Sequence, residues 1–183
     1  MLEGLSENLS HYQSLRAYQL DNAVPPAMNF LPIPQGFEFE ENQFPIVWQF
    51  PDEVKIPAQK EQLAFYSVAE LAVLIRSRKL SSLELTRIYL DRLKKHGDTV
   101  HCVVTITEEL ALAQARKADR EIAGGLWRGP LHGIPYGVKD LLAVEGFKTT
   151  WGAGPYKDQV REETATVVKK LEKAGAVLVA KLS

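Results

Sequence analysis

Apolar residues after residue 60 recur at helical spacing in some segments and in short unbroken runs in others, which predicts helices alternating with strands. Capping boxes mark the starts of the first two of these helices. In a capping box, a serine hydroxyl accepts a hydrogen bond from the backbone N–H three residues later, and the glutamate at that position accepts one from the backbone N–H of the serine. Four helices are predicted: one from Ser67–Glu70, one from Ser81–Glu84 to Gly97, one from Thr107 to Gly124-Gly125, and one from Thr164 or Thr166 to Gly175.

Apolar runs between these helices predict three β-strands. Residues 100–106 are rich in β-branched side chains, the run 129–146 holds a second strand, and residues 176–182 are almost continuously apolar. A continuous apolar run is typical of a strand buried on both faces. The alternating order predicts an α/β fold with a mixed, largely parallel sheet covered by helices. Because the last strand ends at Ser183 without a returning helix, we expect the sheet to be incomplete in this chain.

The first 60 residues show a different pattern. Residues 2–20 have leucines at helical intervals, and seven of the ten prolines then fall between residues 25 and 57. Proline fixes φ and lacks an N–H, so this stretch is predicted to contain neither a helix nor a central strand. Its aromatic content favours an extended arm lying on a larger body over a disordered linker. The predicted division is therefore 1–60, a helix and an arm, and 61–183, a partial α/β domain.

Composition excludes several function classes. The net charge is −1, and we see no face rich in Lys and Arg, so no nucleic-acid partner is expected. No apolar run is long enough to span a membrane, and residues 1–20 lack the pattern of a signal peptide. The compartment stays open, with the cytoplasm as the default and an exported form possible if a leader is missing. The single cysteine, Cys102, is interpreted as a buried core thiol.

Lys139 and Asp140 interrupt the apolar run GPLHGIPYGVKDLLAVEG, residues 129–146. Strand alternation places Gly137, Lys139 and Leu141 on one face and Asp140 on the other. A lysine that faces dry surroundings must be paired or neutral, and a neutral lysine is a candidate catalytic base. The alternative is a lysine that ends the strand in water with Asp140 as its solvated partner. The residues alone leave both interpretations open.

Other candidate chemistry is weaker. His96 and His101 lack Cys or acidic partners, so no metal site is predicted. Gly152-Ala153-Gly154 lacks the spacing of a phosphate-binding loop, and no cofactor is predicted. His132 is interpreted as a hydrogen-bonding residue of a turn. Trp127 and Trp151 are interpreted as core or as the wall of a pocket.

The segment GPLHGIPYGVKDLLAVEGFKTTWG, followed by ATVVKKLEKAGAVLVAKLS, closely resembles the amidase signature family. The resemblance covers residue 67 to the end, and it includes the Thr149-Thr150 pair. It implies an α/β/α sandwich and a Ser-cisSer-Lys triad whose lysine corresponds to Lys139. In that scheme the neutral lysine accepts a proton through a bridging serine, and the activated second serine attacks an amide carbonyl to form an acyl-enzyme.

The serines of that triad have no counterpart here, because the sequence contains no serine between Ser82 and Ser183. We therefore expect both serines to lie outside this chain, and the chain to be inactive alone. The first hypothesis is an amidase acting on a small-molecule amide, which the N-terminal arm favours, with a homodimer as a possible assembly. The alternatives are the A subunit of a tRNA-dependent amidotransferase and a non-catalytic interaction fragment.

Overall fold

The computed structural model describes residues 2–19, 32, 33, 36–42 and 44–183. The chain divides into two units, Met1–Pro45 and Ile46–Ser183, each of which is described by itself. The helices are α1 Leu2–Ala17, α2 Val68–Arg76, α3 Ser82–His96, α4 Glu108–Ala123 and α5 Thr166–Lys173, and a 3₁₀ helix spans Lys60–Phe65. The strands are β1 Val103–Ile106, β2 Pro135–Lys139 and β3 Val177–Leu182. The predicted order of helices and strands after residue 60 is confirmed.

Strand β3 is the middle strand of a three-stranded mixed sheet with the order β1-β3-β2. It pairs in parallel with β2 and antiparallel with β1. The α/β class and the mixed sheet are therefore confirmed. Residues 177–181 are all buried, as the continuous apolar run of β3 predicted.

A β-bulge in the pairing of β2 with β3 changes which way the end of β3 faces. Tyr136 is paired with Leu178, but the next residue, Gly137, is paired with Ala180, so Val179 is the extra residue. In-register residues of a parallel pair point to the same side of the sheet. The shift therefore places Lys181 beside Val138, on the side opposite to Lys139.

Core side chains form three clusters within 46–183. The first cluster lies where α2, α3 and the 3₁₀ helix meet, and includes Leu63, Leu74 and Leu85. The other two clusters cover the two sides of β3. One joins Leu90, Ala111 and Ala115 to Val177 and Val179, and the other joins Val138, Val144 and Val168 to Leu178. Strand β3 is therefore the element to which both layers of the fold are packed.

The predicted helix starts are partly confirmed. Ser67 and Glu70 form the complete capping box. At Ser81 only half of the box is present, because the Glu84 N–H donates to Ser81 Oγ at 3.0 Å while the Glu84 carboxylate pairs with Lys60. Thr107 does not cap α4 with its side chain. Its hydroxyl instead donates to the Leu178 carbonyl at 2.7 Å and ties the start of α4 to β3.

The structure describes part of the N-terminal region, and the division at residue 60 stays a prediction. Helix α1 is present, and 32, 33, 36–42 and 44–57 contain neither helix nor strand. Residues 20–31, 34, 35 and 43 of the predicted helix end and arm lie outside the described residues. Within the second unit, two residues near the end of the predicted arm pack on other elements: Val54 is buried in the first cluster, and Phe50 packs edge to face on Trp127 with ring centroids 5.8 Å apart.

Candidate active site

Lys139 is the last residue of β2, at the carboxyl end of a parallel strand, and it is exposed. The predicted alternation is correct, because Gly137 and Leu141 are exposed with it while Val138 and Asp140 are buried. The expected dry surroundings of Lys139 are not found among the described residues. Ligand sites in α/β sheets lie beyond the carboxyl ends of the strands, so the position suits a reacting group.

Asp140 is not the solvated partner of Lys139. It is 4% exposed, and its Oδ1 lies 3.0 Å from Nζ of Lys181, which is itself completely buried. Its Oδ2 accepts hydrogen bonds from the backbone N–H of Thr150 at 2.8 Å and from the Thr150 hydroxyl at 2.5 Å. The alternative interpretation of the Lys139-Asp140 pair, two residues solvated together at a strand end, is therefore wrong for Asp140.

Three oxygen atoms surround the Lys181 ammonium. Besides Asp140, it donates to the Thr149 hydroxyl at 2.8 Å and to the Lys148 carbonyl. Two of its three N–H groups donate in these hydrogen bonds, and Asp140 Oδ1 contacts the ammonium as an ion pair. A buried charge is costly unless it is paired and hydrogen-bonded in this way.

The pKa of Asp140 reflects two opposing effects. Burial disfavours the carboxylate and would raise the pKa, but the hydrogen bonds from Thr150 and the Lys181 ammonium stabilise the charged form. Their combined effect is larger, and the pKa of Asp140 lies below its ordinary value. Asp140 and Lys181 are therefore an ion pair.

A strained turn follows the two threonines. Trp151 has φ +52° and Gly152 has φ +68°, and the Ala153 N–H closes the turn on the Thr150 carbonyl at 3.0 Å. The Trp151 ring packs on Tyr156 with centroids 4.9 Å apart. Trp151 and Leu141 line a shallow groove. Leu141 lies within the turn that the Leu142 N–H closes on the Lys139 carbonyl, so the groove begins directly after Lys139. Of the two roles predicted for Trp151, core or wall of a pocket, the exposed ring fits the second.

His132 is a buried hydrogen-bonding residue, as predicted. Its Nδ1 accepts from the Arg128 backbone N–H at 3.2 Å, and its Nε2 lies 3.0 Å from Glu121, which also holds the Arg128 guanidinium. An acceptor Nδ1 requires the neutral ring with its proton on Nε2. Burial lowers the pKa of His132 and outweighs the opposing effect of Glu121. The group fastens the segment before β2 to α4.

Sequence reasoning missed two charged residues that shape this region. Asp119 accepts from the backbone N–H groups of Ser82 and Leu83 at 2.7 and 3.0 Å, so it caps α3 from α4. Lys181 lies within the apolar run 176–182, and its pairing with Asp140 was not predicted. A charged residue inside such a run is itself a signal, because it requires a buried partner.

Three further expectations concern Cys102, metal ligands and membrane spans. Cys102 is half-buried and not a core thiol, because it precedes the edge strand β1. Among the described residues, no three His, Cys, Asp or Glu side chains come together as a metal site. No described helix is both long and apolar enough to cross a membrane.

Known proteins share the part of the chain that holds this geometry. The family model for amidases matches residues 84–183, more than half of the chain, and the chain belongs to the amidase family. It is 39% identical over 117 residues to the A subunit of the glutamyl-tRNA(Gln) amidotransferase of Geobacter sp. (strain M21), and the alignment covers 64% of this chain and 24% of that protein.

Solved structures give the same family. The peptide amidase from Stenotrophomonas maltophilia is 32% identical with a TM-score of 0.63, over 67% of this chain and 26% of that one. An amidase family protein from Bacillus anthracis str. Ames is 35% identical with a TM-score of 0.62, over 68% and 25%. The chain therefore spans about a quarter of the length of the relatives it matches.

Proposed function

We propose that this chain is the lysine-bearing part of an amide-bond hydrolase of the Ser-cisSer-Lys type, with Lys139 as the catalytic base. The observation that carries the proposal is the position of Lys139 within the matched residues, exposed at the carboxyl end of a parallel strand. Asp140, the adjacent carboxylate, is engaged by Lys181 on the other side of the sheet. Lys139 is therefore available to a reacting hydroxyl without competition from its neighbour.

The remaining groups of the triad come from outside this chain. A neutral Lys139 accepts the proton of a nucleophilic serine through a bridging serine, the nucleophile attacks the amide carbonyl, and the amine leaves from an acyl-enzyme. Water then releases the acid. No serine occurs between Ser82 and Ser183, and the alignment covers only 24% of the Geobacter relative, which supports serines supplied by additional polypeptide. That polypeptide would also cover the exposed surface around Lys139 and provide the surroundings that keep the lysine uncharged.

A second candidate function has specific support. The Geobacter relative is the A subunit of an amidotransferase, and its identity to this chain exceeds that of the peptide amidase. In that case the acyl-enzyme chemistry would release ammonia for transfer within a complex. Hydrolysis of simple amides by the isolated gene product favours the amidase, whereas activity that depends on copurifying partner proteins and on aminoacylated tRNA favours the amidotransferase.

The test is Lys139→Ala in the full-length gene product. Turnover of a chromogenic amide should fall by about 10³-fold or more with the fold retained, because the proton acceptor is lost. Lys157→Ala, a change at another exposed lysine, is the control and should keep the parent rate. A kcat of Lys139→Ala near that of the parent would show that Lys139 is not the base.

A further inference from the structure

We propose that Asp140 and Lys181 are positioning residues for Lys139, which they hold in place through a buried ion pair on the opposite side of the sheet. The inference rests on the proposed function, because it assigns these residues a task in presenting the base. Neither residue reaches the face on which Lys139 lies, so neither is a catalytic residue.

The link to Lys139 is a single peptide unit. Asp140 follows Lys139 directly, and its N–H donates to the Leu182 carbonyl at 2.7 Å. Leu182 is in turn the register partner of Lys139. The ion pair fixes the Asp140 side chain on one side of the sheet, and Lys139 projects from the other side. Because the two residues share a peptide bond, the ion pair determines the orientation of the peptide that carries the base.

Strand β3 supplies the second partner through its bulge. Without the extra residue at Val179, regular alternation would direct Lys181 to the Lys139 side of the sheet. With it, the ammonium reaches Asp140, Thr149 and the Lys148 carbonyl. Bulges commonly re-aim a side chain next to a functional site.

The Asp140 carboxylate also holds the loop that begins at Thr150. Thr150 donates to Asp140 Oδ2 through both its backbone N–H and its hydroxyl, and it begins the turn that presents Trp151. Asp140 therefore joins the end of β2, the end of β3 and the wall of the groove. A buried ion pair is a weak source of net stability compared with apolar packing, whereas it fixes one geometry, which favours a positioning task.

The test uses Asp140→Asn and Lys181→Met in the full-length gene product. Misplacing a reacting group by about 1 Å costs on the order of 100-fold, so kcat should fall about that much while KM stays within about threefold. The pH profile of kcat/KM should also shift, because each variant changes the buried charge beside the base. Glu108→Gln removes the exposed ion pair with Lys94 and is the matched control, with parent kinetics expected.

The outcomes separate this inference from the proposed function. Full activity of Lys139→Ala contradicts the proposed function, whereas parent-like kcat in folded Asp140→Asn and Lys181→Met contradicts the positioning role alone. Thr149→Val removes one acceptor of Lys181 with little change of shape. It replaces the charge variants if they fail to fold, and an unchanged kcat then overturns the inference.

A readout without substrate completes the test. Amide hydrogen exchange of residues 139–142 should accelerate about tenfold or more in Thr149→Val or in either charge variant that folds, because the bond from Asp140 N–H to Leu182 opens more often. Exchange of helix α3 should stay as in the parent. Unchanged exchange at 139–142 would overturn the inference even if no amide substrate is found.

Discussion

Single residues in this chain are constrained by close approach as well as by chemistry. Gly175 ends the segment before β3 with φ +84°, and a Cβ built there would overlap the His132 ring. Gly125 follows the C-cap residue of α4 with nearly the same φ, +88°, but a Cβ built there would have no atom within 4 Å apart from its chain neighbours. Both positions require a left-handed backbone conformation, and they differ in the space available for a side chain.

Gly175→Ala and Gly125→Ala therefore form a matched pair. A left-handed conformation costs an alanine about 1–2 kcal/mol, so both changes should lower the free energy of unfolding by that amount. Gly175→Ala should cost about 1–3 kcal/mol more, because the ring of His132 must move. Urea unfolding of both variants measures the difference. Equal losses would mean that the His132 pocket accommodates a methyl group freely.

The limits of sequence reasoning are also visible at single residues. The opposite directions of the Lys139 and Asp140 side chains followed from strand alternation and are confirmed. The pairing of Asp140 with Lys181 could not be derived in this way, because the bulge at Val179 reverses the alternation of β3. A bulge depends on the partner strand, so the periodicity of one strand does not reveal it. The catalytic role of Lys139 stays a prediction.

Secondary-structure elements were predicted more securely than their contacts. Capping residues and terminal glycines located the helices, since those signals are local. The side-chain cap of α3 by Asp119 and the bond from Thr107 to Leu178 were missed, because both join residues distant in the sequence. His132 belongs to the same class: its turn was predicted, and its partners Glu121 and Arg128 were not.

The junction of α4 with the segment before β2 should weaken in mild acid. His132 is neutral when folded, and its pKa is lowered below the ordinary value of about 6.5, so below that pH the unfolded chain binds a proton that the folded chain does not. The free energy of unfolding should therefore fall as the pH drops from about 7.5 to about 5.5. Protonation of Nδ1 also breaks its bond to Arg128 N–H.

His132→Gln tests this contribution. The variant cannot take up that proton, so its unfolding free energy should depend less on pH over the same range, measured by urea denaturation. Asp140 acts in the same direction, but its lowered pKa places its effect below about pH 4, outside the window. An identical slope in parent and variant would contradict the assignment of His132 as the titrating group.

At the scale of the whole molecule, β3 joins the layers and also carries Lys181. The clusters around Leu90 and around Val168 pack on its two sides, and the ion pair with Asp140 lies at its far end. The stable part of the chain is therefore built around one central strand, while Lys139 remains on an open surface beside it. All described members of the three clusters lie at or after Val54.

Limited proteolysis should divide the chain accordingly. Phe37, Phe39 and Trp48 are exposed by 54–64% in backbone without helix or strand, so chymotrypsin should cut there first. Phe65 is 79% exposed but lies in the 3₁₀ helix Lys60–Phe65 beside buried Leu63, and it is the internal control. Cleavage requires local unfolding, so exposure alone should not make Phe65 an early site. Mass spectrometry should find a persistent fragment that begins between residues 38 and 49, and early cleavage at Phe65 would show that the segment before α2 is not part of the stable body.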